Sequence, residues 1–135
     1  MKLKPLHVGI SVANMEESIK WYNKILGFSL CSMKYQDKLQ ANVAFIKHGN
    51  FMIELFEHDN TQKLPQERFV PNEDLKIQGT KHICFRVDKI ADAFAFFKKE
   101  EVDIVFGPVL MEGEYMGFIR DPSGVLIELI EPNES

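Results

Sequence analysis

Four residues stand out because their types could bind a metal ion and their spacing repeats along the chain. His7 and Glu54 are 47 residues apart, and His82 and Glu128 are 46 residues apart. Imidazole and carboxylate groups suit Zn²⁺, Ni²⁺, Co²⁺, Mn²⁺ and Fe²⁺. Two of each would leave a divalent ion formally neutral, with coordination positions open for water or substrate. The four residues therefore predict a catalytic site that holds one divalent ion of this group.

The repeat extends to the segments that carry these residues. Residues 6–12 align with residues 81–87, so that His7 falls on His82 and apolar residues coincide at alternate positions. Residues 51–57 align in the same way with residues 125–131, so that Glu54 falls on Glu128. Alternating apolar residues next to turn residues are typical of β-strands. Each copy of the repeat is therefore predicted to place its His and its Glu on two separate strands.

A helix is predicted directly after the first strand of each copy. Met15, Ile19 and Tyr22 recur at helical spacing in the first copy, and the aligned positions of the second are also apolar. Asn14 can cap the first helix, and Gly27 can end it. The pattern predicts an α+β fold of two βαβββ modules whose sheets form one curved, mixed cup.

The module boundaries follow from the same pattern. We expect one domain over residues 1–135, with modules at 1–57 and 81–135 and a linker or loop at 58–80, where Pro, Gly and polar residues show no period. The middle strands are predicted at 39–46 and 115–120, and the strands that leave the helices at 30–35 and 103–105. Residues 107–108 and 113–117 are predicted to border the site as a mobile loop.

Strand alternation predicts which side chains face the site. Successive strand residues point to opposite faces of a sheet, and the apolar face must cover the helix. The polar residues are then expected together on the other face, which we call the site face. The residues predicted on it are His7, Gly9, Ser11 and Glu54 in the first copy and His82, Cys84, Arg86 and Glu128 in the second. Cys84 is expected to be a small buried filler.

Composition excludes several classes of partner. The 16 Lys and Arg against 20 Asp and Glu give a net charge of -4, so no basic field is available to neutralise the phosphates of a nucleic acid. The apolar stretches are far shorter than a membrane span, and the N-terminus lacks an apolar signal core. We expect a cytoplasmic protein with a small-molecule substrate and neither a nucleic-acid nor a membrane partner.

The motifs that carry the metal-binding candidates resemble a known superfamily. The segments HVGISVANMEESIKWYNKILGF, MIELFE, KHICFRV and FIRDPSGVLIELIE are similar to those of the vicinal oxygen chelate superfamily. That superfamily includes glyoxalase I, methylmalonyl-CoA epimerase, extradiol dioxygenases, and the fosfomycin and bleomycin resistance proteins. The resemblance covers nearly the whole chain. It implies a cup of paired modules and a homodimer.

Glyoxalase I is the member whose ligand set this chain resembles most. The resemblance implies His7, Glu54, His82 and Glu128 as metal ligands, whereas fosfomycin-resistance enzymes and extradiol dioxygenases have no carboxylate at the position of Glu54. In glyoxalase I the metal chelates two adjacent substrate oxygens and stabilises an enediolate while a proton moves between carbons. By resemblance, Glu128 would take the proton and Glu54 would assist or return it.

Two departures bear on the substrate. Where glyoxalase I typically has an Arg for the glutathione carboxylate this chain has Ser11, and where it usually has an Asn this chain has His58. These departures favour another thiol adduct, and Arg86 or Ser11 is expected to contact the substrate. Two alternatives stay open: an isomerase similar to methylmalonyl-CoA epimerase, and a metal-free ligand-binding protein similar to bleomycin resistance proteins.

Overall fold

Two mixed sheets form the framework, one in each of two compact units, Met1–Lys63 and Leu64–Ser135. The computed structural model describes residues 1–133. The first unit contains β1 His7–Ser11, α1 Met15–Leu26, β2 Ser29–Gln36, β3 Ala41–His48 and β4 Phe51–His58. The second contains a 3₁₀ turn Gln66–Phe69, α2 Pro71–Asp74, β5 Ile83–Arg86, α3 Ile90–Lys99, β6 Asp103–Met111, β7 Glu114–Arg120 and β8 Leu126–Pro132. The predicted α+β fold of two βαβββ modules is confirmed.

The two sheets have the same topology. Their strand orders are β1-β4-β3-β2 and β5-β8-β7-β6. The first and last strands of each module pair in parallel, and the remaining pairs are antiparallel. Gly9 pairs with Glu54, and Cys84 pairs with Glu128. The strand that carries each metal-binding candidate His therefore lies beside the strand that carries its Glu.

Helix α1 has the ends that its sequence predicts. The Asn14 side chain accepts a hydrogen bond from the amide of Glu17 at 2.9 Å, and Gly27 ends the helix in the left-handed conformation with φ 74°. Glycine adopts this conformation without the steric cost that a Cβ imposes. The helix buries Met15 and Tyr22. These caps fix where the helix starts and stops, and the apolar stripe fixes which side meets the sheet.

Each unit has its own hydrophobic core on the helix face of its sheet. Strand residues at alternate positions are fully or almost fully buried there, while the intervening positions point to the site face. The buried residues of these strands include Ile46, Ile53 and Leu55 in the first unit and Ile119, Ile127 and Leu129 in the second. No helix within residues 1–133 is both long and apolar enough to cross a bilayer.

The hairpin of β6 and β7 is longer than predicted. Strand β6 continues to Met111, so residues 107–108 lie inside it, and residues 114–117 belong to β7. The prediction of a mobile loop at these two stretches was wrong. The pairing register shifts on both sides of Phe106, and β6 is an edge strand of its sheet. Proline lacks a backbone donor and is tolerated in strands at such edges and bulges, which explains how Pro108 fits.

Residues 64–81, which we call the strap, contain the 3₁₀ turn and α2. The carboxylate of Asp74, only 4% exposed, is its centre. Arg68 Nε donates to Asp74 Oδ1 at 2.8 Å, and Lys81 Nζ lies 3.3 Å from the same oxygen. Lys81 also donates to the carbonyl oxygens of Asp74 and Ile77. This charge cluster folds part of the segment that the sequence predicted as linker.

Arg120, at the end of β7, joins the strap to the second sheet. Its guanidinium donates to the carbonyl oxygen of Phe69 at 2.9 Å and to that of Gly124 at 2.8 Å. The guanidinium carbon also lies 4.9 Å from the centre of the Phe69 ring. Arg120 is 5% exposed, and burial lowers the pKa of its guanidinium. The strap is therefore held by both ion pairs and a buried cation.

Candidate functional site

His7 and Glu54 form a pair on the site face of the first sheet. His7 begins β1, and Glu54 lies in the adjacent strand β4, in register with Gly9. The Nε2 atom of His7 is 3.3 Å from Oε1 of Glu54. Their side chains are 30% and 22% exposed, so a small ligand can reach both. The sequence prediction that these two residues share a face is confirmed.

His82 and Glu128 form the corresponding pair in the second unit. His82 directly precedes β5, and Glu128 lies in β8 beside Cys84. The Nε2 atom of His82 is 3.5 Å from Oε1 of Glu128, and the side chains are 32% and 15% exposed. The geometry of the first pair is thus repeated almost unchanged. The β1–β4 register in the first unit and the β5–β8 register in the second each place a His near a Glu.

Both pairs have the donor chemistry and spacing that fit a first-row divalent ion. Ligand nitrogen and oxygen atoms lie about 2.1 Å from such an ion, so two neighbouring ligands at right or tetrahedral angles are roughly 3.0–3.4 Å apart. The observed separation of 3.3 Å in the first pair lies within this range, and the 3.5 Å of the second pair lies just above it. Each pair can therefore supply one nitrogen and one oxygen ligand with little rearrangement.

One pair alone is short of a full protein ligand set. Within residues 1–133, neither unit contains a group of three or more His, Cys, Asp or Glu side chains that could hold a metal ion. Catalytic zinc sites, for comparison, use three protein ligands and an open position. The four-residue ligand set, and the cup that would assemble it, stay predictions.

An aromatic ring packs against each of the two histidines. The rings of His7 and Phe45 are 5.4 Å apart at 79°, and those of His82 and Phe118 are 5.3 Å apart at 77°. Our sequence reasoning missed both phenylalanines. The signal was present, because AFIK at 44–47 and GFIR at 117–120 place a Phe at equivalent positions of the two modules.

The residue beside the glutamate differs between the modules. Gly9 has no side chain beside Glu54, and an added Cβ would lie 3.2 Å from the Phe56 ring and 3.9 Å from Oε1 of Glu54. Cys84 occupies the equivalent place beside Glu128 and is exposed, so the prediction of a buried filler was wrong. The thiol is still partly shielded from water, and this partial desolvation, followed by its hydrogen bond with Glu128, raises the pKa of Cys84 to about 12. The thiol is therefore protonated near neutral pH.

Ser11 and Arg86 lie at the ends of their strands, two residues beyond Gly9 and Cys84. Both are exposed, and strand alternation places each on the site face of its own sheet. Their predicted contact with substrate stays a prediction. His58 ends β4, where its Nδ1 accepts the amide of Asn60 at 2.9 Å, so it stabilises a turn.

A second glutamate in each module caps a helix. Glu57 Oε2 accepts the amide of Met15 at 2.7 Å, and Glu131 Oε1 accepts the amide of Ile90 at 2.8 Å. Each lies three residues after the site glutamate, on the opposite face of the same strand. Alternation separates the two roles, but only the structure shows that the second carboxylate reaches the helix.

Comparison with known proteins gives the family. Residues 4–129 match the family model of the Glyoxalase/Bleomycin resistance protein/Dioxygenase superfamily. The chain belongs to this superfamily. The predicted resemblance of the chain to the superfamily is therefore confirmed, and its two βαβββ modules match the fold of solved members.

Individual members of the superfamily agree with this assignment. The chain is 25% identical to a lactoylglutathione lyase of Schizosaccharomyces pombe over 96% of this chain, but it spans only 47% of that relative. It is 26% identical to the lactoylglutathione lyase of Escherichia coli O157:H7 over 98% of this chain and 96% of the relative. A glyoxylase/bleomycin resistance protein/dioxygenase domain from Frankia sp. EAN1pec has a TM-score of 0.80 at 20% identity, covering 100% of this chain and 96% of that domain.

Proposed function

We propose that the protein is a metal-dependent lyase or isomerase of the glyoxalase type, acting on an α-oxygenated thiol adduct. The observation that carries the proposal is the duplicated His–Glu pair, with separations of 3.3 and 3.5 Å. Relatives named lactoylglutathione lyase support this class of reaction. A fold alone hosts many activities, so the argument depends on the site.

The proposed metal ligands are His7, Glu54, His82 and Glu128, with the two pairs drawn from one chain or from two copies of it. Ni²⁺, Zn²⁺, Co²⁺, Mn²⁺ and Fe²⁺ all accept this combination of imidazole and carboxylate. When bound, the ion supplies Lewis acidity that stabilises negative charge on substrate oxygen. We also propose that the protein forms a homodimer.

The carboxylates are the groups proposed to move the proton. An oxygen of Glu128 accepts a proton from the substrate carbon next to the carbonyl, and the proton is then delivered to the neighbouring carbon. Glu54 assists or performs that return. Both carboxylates are partly exposed, so a substrate on the site face can reach them. A base must lie within hydrogen-bond reach of the proton that it removes, which makes these two residues the first to test.

Arg86 and Ser11 are proposed to bind the part of the substrate that does not react. An exposed guanidinium suits a carboxylate or phosphate, whereas a serine hydroxyl offers a neutral hydrogen bond. At the position of Ser11, glyoxalase I typically has an arginine that binds the glutathione carboxylate, and this chain lacks that arginine. The proposed substrate is therefore an adduct of a thiol other than glutathione, or a CoA ester.

Metal content is the first test. The purified, tag-free protein is stripped with a chelator and offered each of the five ions in turn. Its metal content is measured by mass spectrometry, and the mass of the native assembly is measured in parallel. We expect about one ion per chain, lost in His82→Ala and Glu128→Gln. His48→Ala is the matched control, because His48 lies outside both pairs, with Nδ1 3.1 Å from the carbonyl oxygen of Gly27.

Activity is tested next on the loaded protein. Hemithioacetals formed with several thiols and a racemisable CoA ester are offered, and exchange of the substrate C–H proton with deuterated water is followed by NMR. Glu128→Gln should abolish exchange, while His48→Ala should leave it unchanged. Absence of a bound ion under every condition would refute the enzyme proposal and favour the metal-free ligand-binding alternative.

A further inference from the structure

The two phenylalanines beside the histidines occupy the same place in both modules. Phe45 pairs in register with Glu54 across β3 and β4, and Phe118 pairs with Glu128 across β7 and β8. Each phenylalanine is thus the cross-strand neighbour of the glutamate and also contacts the histidine. His, Glu and Phe form one compact triangle on each site face.

This arrangement limits how the imidazole ring can turn. The His and Phe rings meet edge to face, at angles of 79° and 77°, which is a preferred geometry for aromatic pairs. Rotation of the imidazole about its Cβ–Cγ bond would lose this geometry. The same rotation would move Nε2 away from the glutamate oxygen, which lies 3.3 Å away in one pair and 3.5 Å in the other.

We propose that Phe45 and Phe118 are positioning residues that hold the imidazoles of His7 and His82 with Nε2 turned toward Glu54 and Glu128. The proposal rests on the proposed function, since it assigns the orientation of residues that would bind the metal. Residues that contact the ligands of a metal, but not the metal itself, commonly orient those ligands. Mutation of such a residue therefore weakens metal binding. Here the orienting group is an aromatic ring and the contact is made by packing.

The test compares Phe45→Leu and Phe118→Leu with Phe106→Leu. Phe106 pairs with Phe118 but lies on β6, one strand further from His82, which makes it a matched control on the same sheet. Phe45→Tyr and Phe118→Tyr keep the ring and serve as the conservative replacements. Zn²⁺ and Co²⁺ affinities are measured by competition with a chelator, and the melting temperature of each metal-free variant is recorded.

We expect roughly 3- to 10-fold weaker metal binding in the two Leu variants, as loss of one aromatic contact implies. The Tyr variants should bind like the wild type, and Phe106→Leu should bind within about twofold of it. Equal affinity in the wild type and in both Leu variants would overturn the proposal. A loss of affinity that Phe106→Leu shares, in step with its melting temperature, would overturn it as well.

A second readout separates this proposal from the proposed function. In the metal-free protein, nuclear Overhauser effects from the carbon-bound imidazole protons to neighbouring residues report the ring orientation of His7 and His82. The Leu variants should change the pattern of these effects, and Phe106→Leu should not. If the wild type binds no metal, the proposed function fails, and an unchanged pattern of imidazole contacts in the Leu variants would then refute the positioning role independently.

Discussion

Glu131 accepts a hydrogen bond from the backbone amide of Ile90 at 2.8 Å, so a side chain of the last strand closes the first turn of α3. The first amides of a helix have no partner within the helix, and this end carries partial positive charge. Lys89, at the N-cap, makes no side-chain cap of its own. Strand β8 therefore supplies the N-terminal cap that the residues next to α3 do not provide.

Glu131→Ala should lower the free energy of unfolding by about 1 kcal/mol, because the amide of Ile90 loses its charged acceptor. Glu131→Gln should lose less, since it keeps an acceptor oxygen. Urea unfolding followed by circular dichroism measures both. Glu112→Gln, in an exposed turn, is the control and should change stability little. Equal stabilities of Glu131→Ala and the wild type would contradict the capping role.

Asp74 should make stability depend on pH in the acidic range. The hydrogen bond from Arg68 is the largest cause that lowers the pKa of Asp74 from 3.8, burial opposes it, and Lys81 lowers it further. A carboxylate with a lowered pKa contributes stability above its unfolded pKa, and this contribution disappears as the pH falls through the folded pKa. Asp74→Asn should therefore cost about 1–3 kcal/mol at pH 7 and progressively less below about pH 4.

Urea titrations of the wild type and Asp74→Asn at several pH values check this dependence. The control is Glu73→Gln, because Glu73 pairs with Lys76 at 3.0 Å on the exposed surface, where ion pairs contribute little. We expect no pH-dependent difference for that variant. A loss in Asp74→Asn that is the same at pH 3 and pH 7 would disprove the role of the charge.

Arg120 should hold the strap in place. Replacing it with Met removes the donors to Phe69 and Gly124, and we expect a loss of roughly 1–3 kcal/mol and a looser strap. Limited trypsin digestion reports this directly, because Arg68 and Lys76 lie in the strap. Cleavage there should be faster in Arg120→Met. Lys47→Met, at the exposed aligned position of the first module, should cleave like the wild type.

Gly117 is required by the close approach of α3 to its sheet. A Cβ at this position would lie 2.4 Å from Cζ of Phe94, a buried residue, and 3.0 Å from the carbonyl oxygen of Phe106. Gly117→Ala should therefore destabilise the protein by about 1–3 kcal/mol through overpacking. Gly9→Ala is the milder comparison, since its nearest neighbour is the edge of the Phe56 ring at 3.2 Å. Thermal unfolding of both variants should show the larger loss in Gly117→Ala.

The sequence alone predicted the repeated module and the faces of its strands. Alternation in a strand and the 3.6-residue period of a helix are local geometry, so they are visible in one short segment. His7 and Glu54 were therefore placed on one face correctly, and the caps of α1 were located from Asn14 and Gly27. The duplication identified the same strands, helix and His–Glu pair in the second module, because the two modules align with each other.

The tertiary structure decided which side chains meet across distant segments. That Glu57 reaches Met15, or that Phe45 packs against His7, depends on the pairing register of strands far apart in sequence. The strap could not be predicted either, because its order comes from a buried carboxylate and from Arg120, whose partners lie in other elements. The local pattern determines the secondary structure and the face on which each side chain lies. Contacts between elements arise only when the packed chain brings their side chains within hydrogen-bond and van der Waals distance.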